Sequence, residues 1–175
     1  MCKFASFVLT KDRELWLPNN DRHEDIIDHF KLHADGARGP NVVRVEIVPG
    51  PHITRWDDYA GWVFRFDQDT FPAWHDPAET EVRARAALLR RAAEGFETVY
   101  ARGCAALTKL DAPEATCVDA RGCVALTKLD APKAQAVYAD GCAALTKLDA
   151  PEATYVDARG CAALTKPKIK GRIIS

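Results

Sequence analysis

The sequence has no apolar run approaching 18 residues, which leaves no candidate for a membrane-spanning helix. No secretory leader pattern opens it either. Lys11, Asp12 and Arg13 interrupt the first apolar stretch too early, so a cytoplasmic protein is expected. There is no Gly-rich phosphate loop and no nucleophile elbow. Charge of one sign is missing too: the net charge is −1 over 175 residues. Residues 96–175 carry 11 Lys and Arg against 9 Asp and Glu. A solenoid that imitates DNA needs a strongly acidic surface, and this one lacks it. Zinc-motif spacing is also absent. Cys104, Cys123, Cys142 and Cys161 recur every 19 residues instead of in the close pairs that zinc sites use. No metal and no cofactor is expected.

The same period of 19 is the strongest signal present. Leu107, Leu126, Leu145 and Leu164 keep it, as do Val99, Val118, Val137 and Val156. Self-similarity at a short fixed period marks a solenoid of stacked coils. In the coil that opens at Leu126, the inward candidates are Leu126, Leu129, Ala131, Ala134, Val137, Ala139 and Cys142. Leu129/Ala131 and Val137/Ala139 alternate with period two, giving two short strands per coil. Pro113, Pro132 and Pro151 stop the first strand, and a glycine before each cysteine turns the chain after the second. The four cysteines fall at one inward position and should stack as reduced, buried thiols.

The unit GCAALTKLDAPEATYVDARGC resembles the leucine-rich-type repeats of BspA-like bacterial surface proteins, in which GC-x-x-L-T-x-L-x-x-P recurs. The present repeat is shorter than the usual unit of that family. The resemblance implies a binding scaffold and not a catalyst. The front half is similar instead to small phage and prophage proteins of unknown function. They begin MCKF and carry an H-E-D-[I/L]-I segment, here Met1-Cys2-Lys3-Phe4 and His23-Glu24-Asp25-Ile26-Ile27. That likeness implies phage origin and a host factor as target, as for an inhibitor of host defence.

The front half reads as α+β. Residues 2–9 and 14–17 form a hairpin across Lys11-Asp12-Arg13. A helix follows, with Asp21 and Glu24 as a capping box, Ile26, Ile27 and Phe30 inward, and Gly36 beyond its end. Strands are expected at 41–48 and 62–67. A second helix starts at Asp76 as N-cap and Pro77 at N1, and ends at Gly95. Val82, Ala86, Leu89 and Ala93 give it an amphipathic i, i+4, i+7, i+11 stripe. The expected architecture is an α+β domain, residues 1–95, capping a short leucine-rich-type β-solenoid, residues 96–175. The helix, or the sheet beneath it, covers the first coil. Residues 167–175 break the repeat and close the last coil, or pair with a second copy.

Candidate site residues follow from what the repeats copy and what they vary. Thr108, Lys109 and Asp111 and their equivalents on the first strand are nearly constant, which fits a solvated face. The second strand varies. Tyr100, Arg121, Tyr138, Tyr155 and Arg159 fall there, and Tyr and Arg are favoured at binding hot spots. The expected function is a non-enzymatic protein-binding module. One alternative is a small enzyme using His23, Glu24, Asp25 and Trp74. Another is a nucleic-acid binder using Lys166, Lys168, Lys170, Arg172 and the helix arginines. His29 and His33 share helical spacing but lack a third ligand. Asp57, Asp58, Asp67 and Asp69 are the candidate paired carboxylates.

Overall fold

The computed structural model describes residues 5–18, 20–32, 41–165 and 167–175. The chain divides into two compact units, Met1–Val48 with Val63–Glu94, and Pro49–Trp62 with Gly95–Ser175.

In the first unit, β1 (Ser6–Leu9), β2 (Glu14–Leu15), β3 (Val43–Val48) and β4 (Val63–Phe66) form an antiparallel sheet in the order β2-β1-β3-β4. Period-two alternation gives it two different faces. Phe7, Leu9, Val43, Val45 and Ile47 are fully buried on one pleat. On the other, Val8 joins Leu15, Val42 and Ile26 of α1 (His23–His29), with Ile27 and Phe30 packed alongside. Helix α2 (Pro77–Glu94) lies on the Phe7 side, where the Arg91 guanidinium sits 6.0 Å from the Phe7 ring centre. Its ends are as the sequence predicts. The Asp76 carboxylate accepts the Glu79 N–H at 2.8 Å, and Gly95 takes φ +89°.

Two expectations for the helices are overturned. Asp21 does not cap α1. Its carboxylate accepts from the Ser6 N–H at 3.1 Å and from Arg91 Nη1 at 2.7 Å, while Arg22 is the N-cap residue and supplies no side-chain cap. A carboxylate facing a buried guanidinium gains more from that charge-assisted bond than from a helix amide. The stripe on α2 faces outward: Val82 is 69% and Leu89 58% exposed. The buried face is Thr80, Ala84, Ala87, Leu88 and Arg91. Small alanines let the helix approach the sheet closely. Arg83 Nε and Arg90 Nη2 both reach Glu14, at 2.7 and 2.8 Å, which fixes the rotation. His33, Gly36 and the MCKF segment lie outside the described residues.

The second unit is a β-solenoid of about four turns with 19-residue coils. One parallel sheet stacks β6 (Lys109–Asp111), β8 (Lys128–Asp130), β10 (Lys147–Ala150) and β12 (Lys168–Ile169). The other stacks β5 (Thr98–Tyr100), β7 (Cys117–Asp119), β9 (Ala136–Tyr138), β11 (Tyr155–Asp157) and β13 (Arg172–Ile174). Register is set by the repeat, with Leu110, Leu129 and Leu148 side by side, and Val99, Val118, Val137 and Val156 likewise. All seven inward residues expected for the Leu126 coil have no exposed surface. At the bend, Gly122 takes φ +72° and the Cys123 N–H bonds the Ala120 carbonyl at 3.2 Å. A Cβ there would meet nothing within 4 Å, so the backbone angle is what requires glycine.

Side chains extend the ladder between coils. Thr127 Oγ1 donates to the Thr108 carbonyl at 2.9 Å and Thr146 Oγ1 to that of Thr127 at 3.0 Å. Cys123 Sγ donates to the Ala101 carbonyl at 2.9 Å and Cys142 Sγ to that of Ala120 at 3.0 Å. Burial pushes both thiols up, to about 12. Cys104, Cys117 and Cys161 are free and half-buried.

Non-repeat segments lie at both ends of the stack. At the front, Thr54 O accepts from the Thr108 N–H at 2.9 Å and from Thr108 Oγ1 at 3.0 Å, and Arg55 bridges Lys109 in parallel. Ile53, Trp56, Trp62 and Phe96 are buried here. Trp56 packs edge-on to Trp62 at 5.0 Å, and Trp62 stacks with Phe96 at 6.3 Å. Within this unit the segment that covers the first coil is Pro49–Trp62. At the far end β12 and β13 continue both sheets, and Ile169, Ile173 and Ile174 are half-buried. Gly171 passes so close to Thr154 that a Cβ would collide with its backbone.

Leu126→Ala or Leu145→Ala should cost about 2–5 kcal/mol, read by urea unfolding. A loss under about 0.5 kcal/mol would place these side chains at the surface. In the native protein, Cys123 and Cys142 should label with thiol reagents far more slowly than in urea. Rapid native labelling of both would contradict the stacked-thiol column.

Candidate functional site

The outer face of the β5-β7-β9-β11 sheet is where the repeats differ. Pairing places Tyr100, Asp119, Tyr138 and Asp157 in one column, and Thr98, Cys117, Ala136 and Tyr155 in another two residues earlier. The valines between them point inward, so both columns face out. Arg121 and Arg159 follow their strands by two residues, on the same side as Asp119 and Asp157.

That i, i+2 spacing orients each guanidinium. Arg121 Nε donates to Asp119 Oδ1 at 2.8 Å, and its Nη2 donates to Oδ2. Arg159 makes the same fork on Asp157, at 2.9 and 2.6 Å. Planar two-point contact holds an arginine more firmly than a single bond. The Arg121 guanidinium then lies 5.5 Å from the Tyr138 ring centre on the next coil, in cation–π range. Tyr138 meets Tyr155 on the coil after, with centres 5.6 Å apart and planes tilted by 51°. Arg121, Tyr138 and Tyr155 thus form one run across three coils, with Arg159 at its end. Tyr100 lies in the same column as Tyr138, two coils away, with Asp119 of β7 between them.

Asp119 and Asp157 are residues that the sequence analysis does not single out. Both are buried, and they are what fixes the arginines. The D-A-R triplet, present in coils two and four, is the signal that could have identified them. Burial pushes the Asp119 carboxyl up. The Arg121 hydrogen bonds and charge outweigh that and hold it below the usual carboxylate range. For Asp157 the Arg159 hydrogen bond leads, with the same result.

The first-strand face has a different character. Lys128 Nζ is 3.0 Å from Asp130 and 3.8 Å from Asp111, and Lys109 pairs with Asp111. Its charges alternate and cancel. Two lysines of the basic tail are also matched: Lys168 is 3.3 Å from Asp149 and Lys170 3.8 Å from Glu152. Lys166 is outside the described residues.

In the first unit, the residues suggested for an enzyme are not brought together as one group. His23 is fully buried and its Nδ1 lies 2.8 Å from Asp67 Oδ2. Glu24 is exposed, and Asp25 accepts from Asn20 Nδ2 at 2.6 Å. Phe71 stacks on His75 with centres 4.4 Å apart, just before α2. In the second unit, Asp57 is held by Arg55 at 2.7 Å, which lowers its carboxyl below the ordinary range. No helix is long and apolar enough to cross a membrane among the described residues.

The depressed carboxyls predict a pH dependence. A carboxyl lowered by folding stabilises the folded state above the unfolded value of about 3.9, and that contribution is lost as pH falls below it. Asp157→Asn should therefore destabilise the protein at pH 7 and by less at pH 3, read by urea unfolding. An equal deficit at both pH values would contradict the ion-pair account.

Comparison with protein families, with characterised proteins and with solved structures returns no match for this chain.

Proposed function

We propose that the protein is a non-enzymatic protein-binding module, and that it recognises its partner through the outer face of the β5-β7-β9-β11 sheet. The observation that carries this reading is the run Arg121–Tyr138–Tyr155 with Arg159, held in place by buried carboxylates. Aromatic and guanidinium groups supply large contact area, and fixing them before binding reduces the ordering cost of association. The constant positions serve the ladder instead: Thr127 and Thr146 bond neighbouring coils, and the lysines face aspartates. The resemblance to BspA-like repeats fits a binding scaffold. The likeness of the front half to phage proteins points to a host protein as the partner.

The same charges favour a protein over a nucleic acid. Arg121 and Arg159 are matched by Asp119 and Asp157 on one coil each. A phosphate backbone rewards unmatched cations, and its binding weakens steeply with salt.

The test uses full-length variants and a host-cell lysate. A partner captured by the wild type should lose at least tenfold in affinity for the Tyr138→Ala/Arg121→Ala double variant. It should bind Lys128→Ala/Lys147→Ala within about twofold, as solvated charges contribute little. Affinity should change modestly between low and moderate salt. The reverse ranking, or a steep salt slope, would move the site to the lysine face. No loss in either variant would move function to the first unit.

A further inference from the structure

The first unit gathers three ligand-bearing side chains that are far apart in sequence. His23 opens α1, Glu46 lies in the middle of β3, and Asp67 directly follows β4. One ligand atom from each lies within 4.8 Å of the others. Local geometry explains the convergence. Glu46 shares the sheet face of Val8, which α1 covers. The Asp67 N–H bonds the Arg44 carbonyl at 2.9 Å, which ties the residue after β4 to β3.

The His23 ring faces two acceptors. Its Nε2 is 3.0 Å from the Val45 carbonyl oxygen, and its Nδ1 is 2.8 Å from Asp67 Oδ2. A carbonyl oxygen can only accept, so Nε2 carries a hydrogen and donates it. In the neutral ring this leaves the lone pair on Nδ1, directed at a carboxylate oxygen. Either a proton or a metal cation between Nδ1 and Oδ2 satisfies both atoms. A second ring proton would satisfy His23 and Asp67 alone. A divalent cation accounts for all three groups. It takes the Nδ1 lone pair, and its charge is balanced by the two carboxylates.

We infer that His23, Glu46 and Asp67 form a binding site for a divalent first-row transition-metal ion, with His23 Nδ1 and one oxygen from each carboxylate as ligands. The features around it fit. A metal-bound histidine usually donates its other ring N–H to a carbonyl or carboxylate, as Nε2 does here to Val45. Two ligands each about 2.1 Å from a metal, at angles of about 90–110°, stand roughly 3.0–3.4 Å apart. The 2.8 Å between Nδ1 and Oδ2 needs to widen only slightly. His23 is fully buried and rigidly held, while the Asp67 side chain is 49% exposed. The ion therefore has a route from solvent, and water can fill the remaining positions. One nitrogen and two carboxylate oxygens suit Mn²⁺ or Zn²⁺ and provide none of the thiolates that select Cu⁺. No cysteine belongs to the group.

Mn²⁺ is the probe, because it has little affinity for the cysteines elsewhere in the chain. Full-length protein stripped with EDTA is titrated with MnCl₂, and free ion is counted by electron paramagnetic resonance. The thermal midpoint is followed in parallel, since a ligand that binds only the folded state raises it with concentration. The expected result is saturation at one ion per chain and a concentration-dependent rise in midpoint. Glu46→Gln and Asp67→Asn, checked for folding by circular dichroism, should each lose at least tenfold in affinity. Glu46→Gln separates the two accounts, because a proton shared by His23 and Asp67 does not involve it. Absence of saturable uptake by the wild type would overturn the inference. So would unchanged Mn²⁺ affinity in Glu46→Gln.

Discussion

A single coil of this solenoid cannot satisfy its own backbone. Each strand directs its N–H and C=O groups along the stack, to the coil before and the coil after. The Ala120 N–H reaches the Tyr138 carbonyl at 2.7 Å, and the Ala139 N–H reaches that of Asp157 at the same distance. Every coil therefore depends on a neighbour in register, and the stack must end in something that is not a coil. Pro49–Trp62 meets that need at the front, where Thr54 presents its carbonyl at the position Thr108 presents to Thr127. Behind, the tail adds one more rung to each sheet, where the Ile174 carbonyl accepts from the Ala158 N–H at 2.7 Å.

This constraint separates copied residues from free ones. Thin coils leave room inside for Ala, Val, Cys and Leu. The outer threonines bond the coil before through both N–H and hydroxyl, so the stack holds them constant. Second-strand outer positions contribute only backbone to the ladder. They are free to differ, and Arg121, Tyr138, Tyr155 and Arg159 occupy them over buried aspartates. The surface that could recognise a partner is thus the one that stacking does not constrain.

How much was legible follows the same division. Inward residues of the Leu126 coil could be read one by one, because a 19-residue period fixes face and register together. The ends of α2 were legible because Asp76 and Gly95 act on the backbone next to them. Choices made across long separations were hidden. Asp21 has local cap spacing but answers to Arg91, and α2 turns Val82 outward because Arg83 and Arg90 converge on Glu14. The front cap was invisible because Pro49–Trp62 carries no repeat. His23, Glu46 and Asp67 were missed because no short motif links them, and only pairing of β3 with β4 and packing of α1 join them.

Amide hydrogen exchange of the free protein tests most directly whether Pro49–Trp62 completes the stack. The account predicts that the Thr108 amide, whose acceptor is Thr54, is protected to nearly the same degree as the Thr127 amide inside the solenoid. A Thr108 amide that exchanges as fast as an unstructured one, while Thr127 stays protected, would show that the first coil is open and the account wrong.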